Sequence, residues 1–221
     1  MGAQKINIPK LGIFLGVIAA IAAGLLSFVS ISTEAAIKVN LQKKTDAALE
    51  QVLPTFDKVE SVTIRSELDW PVKFYIARKG DEIVGYAGEV ITPEGFSGDI
   101  TVMAGLELDG SVRSVIVTAN TETPGLGTAV TDRKVQKTIV DLFKGGEAVT
   151  GLAPNVYLDW YGSKKAGSDR WPIVKDGEQI NGKTGATITS VAIGGAVYTI
   201  SKTAVDHLDG LSTLRQKDLT E

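Results

Sequence analysis

The stretch DITVMAGLELDGSVRSVIVT, Asp99 to Thr118, decides the fold. Its two arms, Asp99 to Leu108 and Ser111 to Thr118, are rich in Ile, Val and Thr and flank the pair Asp109-Gly110. Asp-Gly between two such runs is a strong short-range hairpin signal, because the tight turns that match strand twist need residues tolerant of positive φ. Upstream, Val62-Thr63-Ile64 and Val72 to Ile76 cluster β-branched and aromatic residues, and Lys79-Gly80-Asp81 forms a turn leading into Glu82 to Val90. The expectation is an antiparallel sheet. Downstream, Thr131 or Asp132 can cap a helix that carries Val135, Ile139, Val140 and Phe143 and stops at Gly145-Gly146. Residues Glu147 to Asp176 read as loops with short strands. A last helix runs from Ser190 to His207, with Val191, Ile193, Val197, Ile200 and Val205 as its apolar positions. The fold class is α+β, with flanking helices on an antiparallel sheet.

The N-terminal end has a different character. Residues Leu11 to Ile31 carry no charged side chain, and roughly 20 such residues in a helix cover the hydrocarbon core of a bilayer. A cleaved secretory signal has a shorter apolar core of roughly 7–15 residues, so an uncleaved anchor is favoured. The expected organisation is a short cytoplasmic tail (1–10), a transmembrane helix (11–31), a connector helix (32–54) ended by Pro54, and an extracytoplasmic domain (55–221). Lys5 and Lys10 lie close before the span and Lys38, Lys43 and Lys44 further beyond it, which leans towards the N-terminus inside. Gly12 and Gly16, continued by Ala19, Ala20 and Ala23, allow another membrane helix to approach closely.

Composition removes several function classes. The chain has 221 residues, with 23 Lys+Arg against 26 Asp+Glu; no stretch concentrates cations enough to neutralise several phosphates, which argues against nucleic acid as a partner. Cysteine is absent, which excludes disulfides, thiolate zinc sites, iron–sulfur clusters and thiol nucleophiles. The single histidine, His207, sits in a polar patch and reads as a surface residue at a helix end. No catalytic residue and no metal ligand is assigned. Trp160, Tyr161 and Trp171 are tempting as a ring-stacking platform but are more often packing anchors, and they too are left unassigned.

One segment carries chemistry: Asn181-Gly182-Lys183-Thr184-Gly185-Ala186-Thr187-Ile188-Thr189-Ser190. It is a hydroxyl-rich loop of small residues directly before a helix. The first N–H groups of a helix lack internal partners and carry partial positive charge, which suits an anion. Gly182 and Gly185 permit close backbone approach, and Lys183 adds a counter-charge. A Ser/Thr helix cap with no ligand has the same composition, and the residues alone leave both readings open. The spacing is not that of a P-loop.

Thr184-Gly185-Ala186-Thr187-Ile188-Thr189 resembles the flavinylation motif of the FMN-binding domain family, whose members include the G subunit of the Rnf electron-transport complex and the C subunit of the sodium-translocating NADH:quinone reductase. Glu122-Thr123-Pro124-Gly125-Leu126-Gly127 is similar to a second signature that those two proteins share. Gly85-Tyr86-Ala87-Gly88 and the following hairpin add a weaker likeness. With the N-terminal anchor, the resemblance covers essentially the whole chain. It departs at Asn181, where the family motif usually has Asp.

The resemblance implies covalent FMN, its phosphate esterified to Thr187 by a flavin transferase. Thr184, Gly185, Ala186, Lys183 and Thr189 in one block, and Glu122, Thr123, Leu126 and Gly127 in the other, are the expected cofactor-binding residues, with Thr123 and Leu126 lining an apolar slot. The implied function is a membrane-anchored electron-transfer subunit of an Rnf-type ion-translocating ferredoxin:NAD oxidoreductase complex. Its implied partners are the other membrane subunits and lipid. The alternatives are the equivalent subunit of a sodium-translocating NADH:quinone reductase and a stand-alone extracytoplasmic flavoprotein. In each case the chain is a redox carrier in the cytoplasmic (inner) membrane and not a complete enzyme.

Overall fold

The structure, a computed structural model, describes residues 8–133, 152–167, 171–172 and 182–213. The chain divides into two compact units, Met1–Thr45 and Asp46–Glu221. A single helix, α1 (Ile8–Val52), runs through the segments expected as span and connector. No break is needed at the polar residues after the apolar run, because Ser32 Oγ donates to the Phe28 carbonyl (2.8 Å) and Thr33 Oγ1 to that of Val29 (2.9 Å). These hydroxyls satisfy themselves on the preceding turn. Within the first unit, the large apolar side chains from Leu11 to Ile31 stand exposed, Leu26 at 73% and Phe28 at 70%, as a lipid-facing helix requires.

The second unit is built on a five-stranded antiparallel sheet in the order β1 (Lys58–Arg65), β2 (Pro71–Lys79), β3 (Glu82–Thr92), β4 (Ile100–Leu106) and β5 (Val112–Ala119). Each strand pairs with its sequence neighbour, so every connection is a hairpin. The expected Asp109-Gly110 turn joins β4 to β5: Gly110 has φ +83°, and the Asp109 carboxylate accepts hydrogen bonds from the hydroxyl and N–H of Ser111.

Both faces of the sheet are covered, and the period-2 alternation sorts the side chains between them. Val72, Phe74, Ile76, Val102, Ala104 and Leu106 belong to the larger core, with the long helix α4 (Thr187–Asp206). Tyr75, Ala77, Ala87 and Met103 pack on the other face with Ala48, Leu49 and Val52 from the end of α1 and Leu53 just after it. Gly105 makes that second contact possible: a Cβ there would lie 2.1 Å from the Val52 carbonyl oxygen.

Smaller helices complete the unit: α2 (Gly127–Thr131), α3 (Val156–Asp159) and α5 (Leu208–Thr213). Two expectations are adjusted. The last helix begins at Thr187, three residues before Ser190, since the Ser190 hydroxyl bonds back to the Ala186 carbonyl (2.8 Å) and is absorbed into the helix. Between 152 and 167 the chain forms α3 and turns instead of short strands; Asn155 caps α3 by accepting from the N–H groups of Tyr157 and Leu158. Asp132 is extended, a conformation compatible with an N-cap, but the helix expected after it falls outside the described residues. Trp160, Tyr161, Trp171 and Tyr198 form a chain of ring contacts with centroids 5.2–5.8 Å apart, joined to the larger core. They are packing anchors. His207 is the exposed C-cap of α4.

The sheet can be tested at both a face and an edge. Gly105→Ala forces backbone apart at the α1 contact and should cost about 1–3 kcal/mol or more, read as a lowered urea midpoint of the full chain in detergent. An unchanged midpoint would show that this approach is not tight. At the edge, Glu60 is buried between Lys58 (2.9 Å) and Arg78 (3.6 Å). The hydrogen bond from Lys58, supported by both positive charges, holds its carboxyl below the ordinary 4.5. A depressed folded-state pKa stabilises fully above the ordinary value, and the contribution is lost as pH falls through the folded one. The difference in urea midpoint between the native chain and Glu60→Gln should therefore narrow on acidification below about pH 4.5; a gap that stays constant would remove the linkage.

Candidate functional site

The two motif blocks meet at the N-terminal end of α4. Each forms a turn of the same kind. In the first, the Leu126 N–H donates to the Thr123 carbonyl (3.2 Å), with Pro124 at the second position and Gly125 at the third with φ +77°. That is the type II pattern, in which the third residue must accept positive φ. In the second, the Ala186 N–H donates to the Lys183 carbonyl (3.0 Å) around Gly185, whose φ is +85°. The turns touch. Leu126 Cδ2 would be 3.4 Å from a Cβ at Gly185, and Lys183 Nζ donates to the Gly125 carbonyl (2.9 Å).

Beneath them lies Glu122, 4% exposed. Its Oε2 accepts from Thr189 Oγ1 at 2.7 Å and its Oε1 from the Ser97 N–H at 3.1 Å. One carboxylate thus ties together the β3–β4 loop, the Glu122–Gly127 segment and the first turn of α4. An ionised acceptor makes such bonds shorter and roughly twice as strong as neutral ones.

The cleft so formed has a volume of about 280 Å³ and is lined by Phe96, Glu122, Thr123, Leu126, Gly127, Gly185, Ala186, Thr187, Ile188 and Thr189. It therefore brings together seven of the expected cofactor-binding residues and Thr187 itself. Thr184 and Lys183 stand outside the lining: Thr184 is exposed in its turn, and Lys183 spans to the facing turn. Asn181 lies outside the described residues. Phe96 and Ile188 enter the lining without having been picked out from sequence. For Ile188 the signal was available, because it sits inside the motif itself. For Phe96 there was none, since a lone aromatic in a Gly/Ser loop has no periodicity to mark it.

These residues fit a phosphate-bearing flavin. Thr187 is the first residue of α4, and its N-cap, Ala186, supplies no side-chain acceptor. The first-turn N–H groups of α4 therefore have no side-chain cap, and a helix terminus of this kind favours an anion. The remaining walls are mostly apolar with a few polar groups, the make-up of a cofactor slot. The second apolar helix in the described residues long enough to cross a membrane is α4 itself, but Ala192 to Ala204 is mostly buried against the sheet, so it is a core helix.

Comparison with known proteins points to the same segment. Residues 95–202 match the FMN-binding domain model, a span that starts at the Phe96 loop and ends on α4. The chain is 32% identical over 220 residues to the ion-translocating oxidoreductase complex G subunit of Cronobacter sakazakii, covering 94% of this chain and 95% of that protein. It is 32% identical to the G subunit of Shewanella piezotolerans over 88% of each chain. Against that of Vibrio cholerae it is 30% identical, over 91% of this chain and 90% of the relative. An identity of this level sustained from the N-terminal helix through α4, with the FMN-binding domain contained in it, shows that the chain belongs to the family of ion-translocating oxidoreductase complex G subunits.

Proposed function

We propose that this chain is the membrane-anchored electron-transfer subunit of an Rnf-type ion-translocating ferredoxin:NAD oxidoreductase complex, carrying FMN as a phosphoester on Thr187. The observation that carries the site assignment is how the motif's hydroxyls are engaged. Thr189 is buried and donates to Glu122, and Ser190 is buried and donates to the Ala186 carbonyl. Thr184 is exposed but outside the cleft lining. Thr187 is half-buried, lines the cleft and opens the helix. Of the four, its hydroxyl combines access with an anion-favouring position. The diester keeps one negative charge, which the helix terminus stabilises by about 0.3–1 kcal/mol.

The bound flavin supplies the redox chemistry, and the chain's residues retain and orient it. Thr187 would hold the phosphate end, while Leu126, Gly185 and Ile188 would bound the slot for the ring. Glu122 fixes the spacing of the walls, its two oxygens bonded to the Ser97 N–H and the Thr189 hydroxyl. Lys183 holds the two turns together through the Gly125 carbonyl. The membrane helix would place the domain outside the cytoplasm, with lipid and the other subunits around the span and a flavin transferase as maturation partner.

The chain expressed with a flavin transferase should give a denatured gel band that fluoresces under ultraviolet light. Thr187→Ala should be dark and have the unmodified mass, while Thr184→Ala should remain bright. A fluorescent Thr187→Ala band would overturn the assignment. Glu122→Ala leaves the buried Ser97 N–H and Thr189 hydroxyl without their acceptor, and should lower the stability read from the urea midpoint by about 1–3 kcal/mol and reduce the flavinylated fraction. If both stay at the native level, the carboxylate is not the joint described.

A further inference from the structure

We infer that Phe96 is the outer wall of the flavin slot, packing against the isoalloxazine ring on the side opposite the acceptor helix; this rests on the FMN reading above. Phe96 is 66% exposed, yet the backbone beneath it is tightly held. The Ser97 N–H donates to Glu122, and the Ser97 carbonyl accepts from Thr121 Oγ1 at 3.0 Å. On the other side, a Cβ at Gly95 would lie 2.1 Å from the Gly98 carbonyl oxygen, so the loop is closed on itself. A single exposed apolar side chain is ordinary on a protein surface, whereas several gathered around one concave space mark a place where something binds.

The cleft supplies that cover. Phe96, Leu126 and Ile188 are exposed at 66%, 46% and 52%, and all three line the same space. A planar aromatic ligand lying between them would bury all three at once. Among the described residues, Phe96 is the one aromatic in that lining; the Trp160, Tyr161, Trp171 and Tyr198 rings are engaged with one another. An aromatic partner adds stacking geometry to plain apolar burial. The wall is also referenced to the attachment helix, because the carboxylate that holds Ser97 also holds Thr189, two residues beyond Thr187. Phe96 is a positioning residue for the ring and not for the ester.

The test uses the full chain in detergent, loaded by a flavin transferase, as native protein, Phe96→Trp, Phe96→Ala and Leu108→Trp. Indole is easily oxidised and quenches an excited flavin at contact distance. Phe96→Trp should therefore lose native flavin emission several-fold and recover it on denaturation. Phe96→Ala should show a several-fold rise in quenching by iodide. Leu108 is exposed beside Gly110, which abuts Val205 near the far end of α4, so Leu108→Trp should leave emission unchanged. Neither change at the exposed Phe96 position touches the core, and denatured-gel fluorescence reports the covalent link separately. Bright gel bands with native-like emission in Phe96→Trp and native-like iodide access in Phe96→Ala overturn the wall alone. Dark bands in every variant and in the native chain overturn the FMN reading, and this inference with it.

Discussion

The buried carboxylate of Glu122 is the constraint around which the site is arranged. A carboxylate out of water is costly unless donors replace its hydration, and here each oxygen has one: a backbone N–H of the β3–β4 loop and the Thr189 hydroxyl of α4. These partners are 25 and 67 residues away in sequence. Three chain segments with no regular secondary-structure pairing among them are thereby given one relative position. A neutral acceptor would close the same bonds more weakly. The two type II turns then add short-range precision, meeting through Leu126 on Gly185 and through Lys183 on the Gly125 carbonyl.

That joint is useful only because α4 is held by its packing. Its length from Ala192 to Ala204 is mostly buried, and it packs across β3 and β4, so its first turn is anchored by core burial further along. The sheet is braced from the opposite face by the last turns of α1, which approach to backbone contact over Gly105. Position is therefore passed from the packed core to a surface cleft through one helix and one carboxylate, and the cleft walls themselves can stay exposed.

Legibility in the sequence follows the range of the interaction. The hairpin turn at Asp109-Gly110 and the turn at Gly80-Asp81 are readable because turn chemistry is local, and the strands between them follow from β-branched clustering. Thr187 and the facing Glu122–Gly127 block are readable as motifs through family resemblance; on the residues alone a plain helix cap is the commoner reading than a phosphate site. α3 escapes a sequence reading although a cap signal is present. Asn155 caps the helix while Asp159 accepts from the Asn155 N–H at 2.9 Å, but four helical residues give no periodicity to confirm it. Phe96 is invisible in the sequence. Its significance comes from hydrogen bonds that cross 24 and 25 residues, and nothing in a Gly-Phe-Ser-Gly loop encodes those partners locally.

The exposure of the cleft walls bears on why a carrier of this kind would use an ester at all. A slot that retained a flavin by affinity alone would have to bury most of its surface, and burial on that scale would also shield it from donor and acceptor. Here the space is about 280 Å³, at the small end for a cofactor site, and both Phe96 and Ile188 are more than half exposed. In the proposed reading, covalent attachment at Thr187 would separate retention from burial: the bond would keep the group in place, and the walls would need only to set its orientation. An open slot beside a rigid helix is then not a poorly formed binding site but the form that electron exchange with successive partners requires.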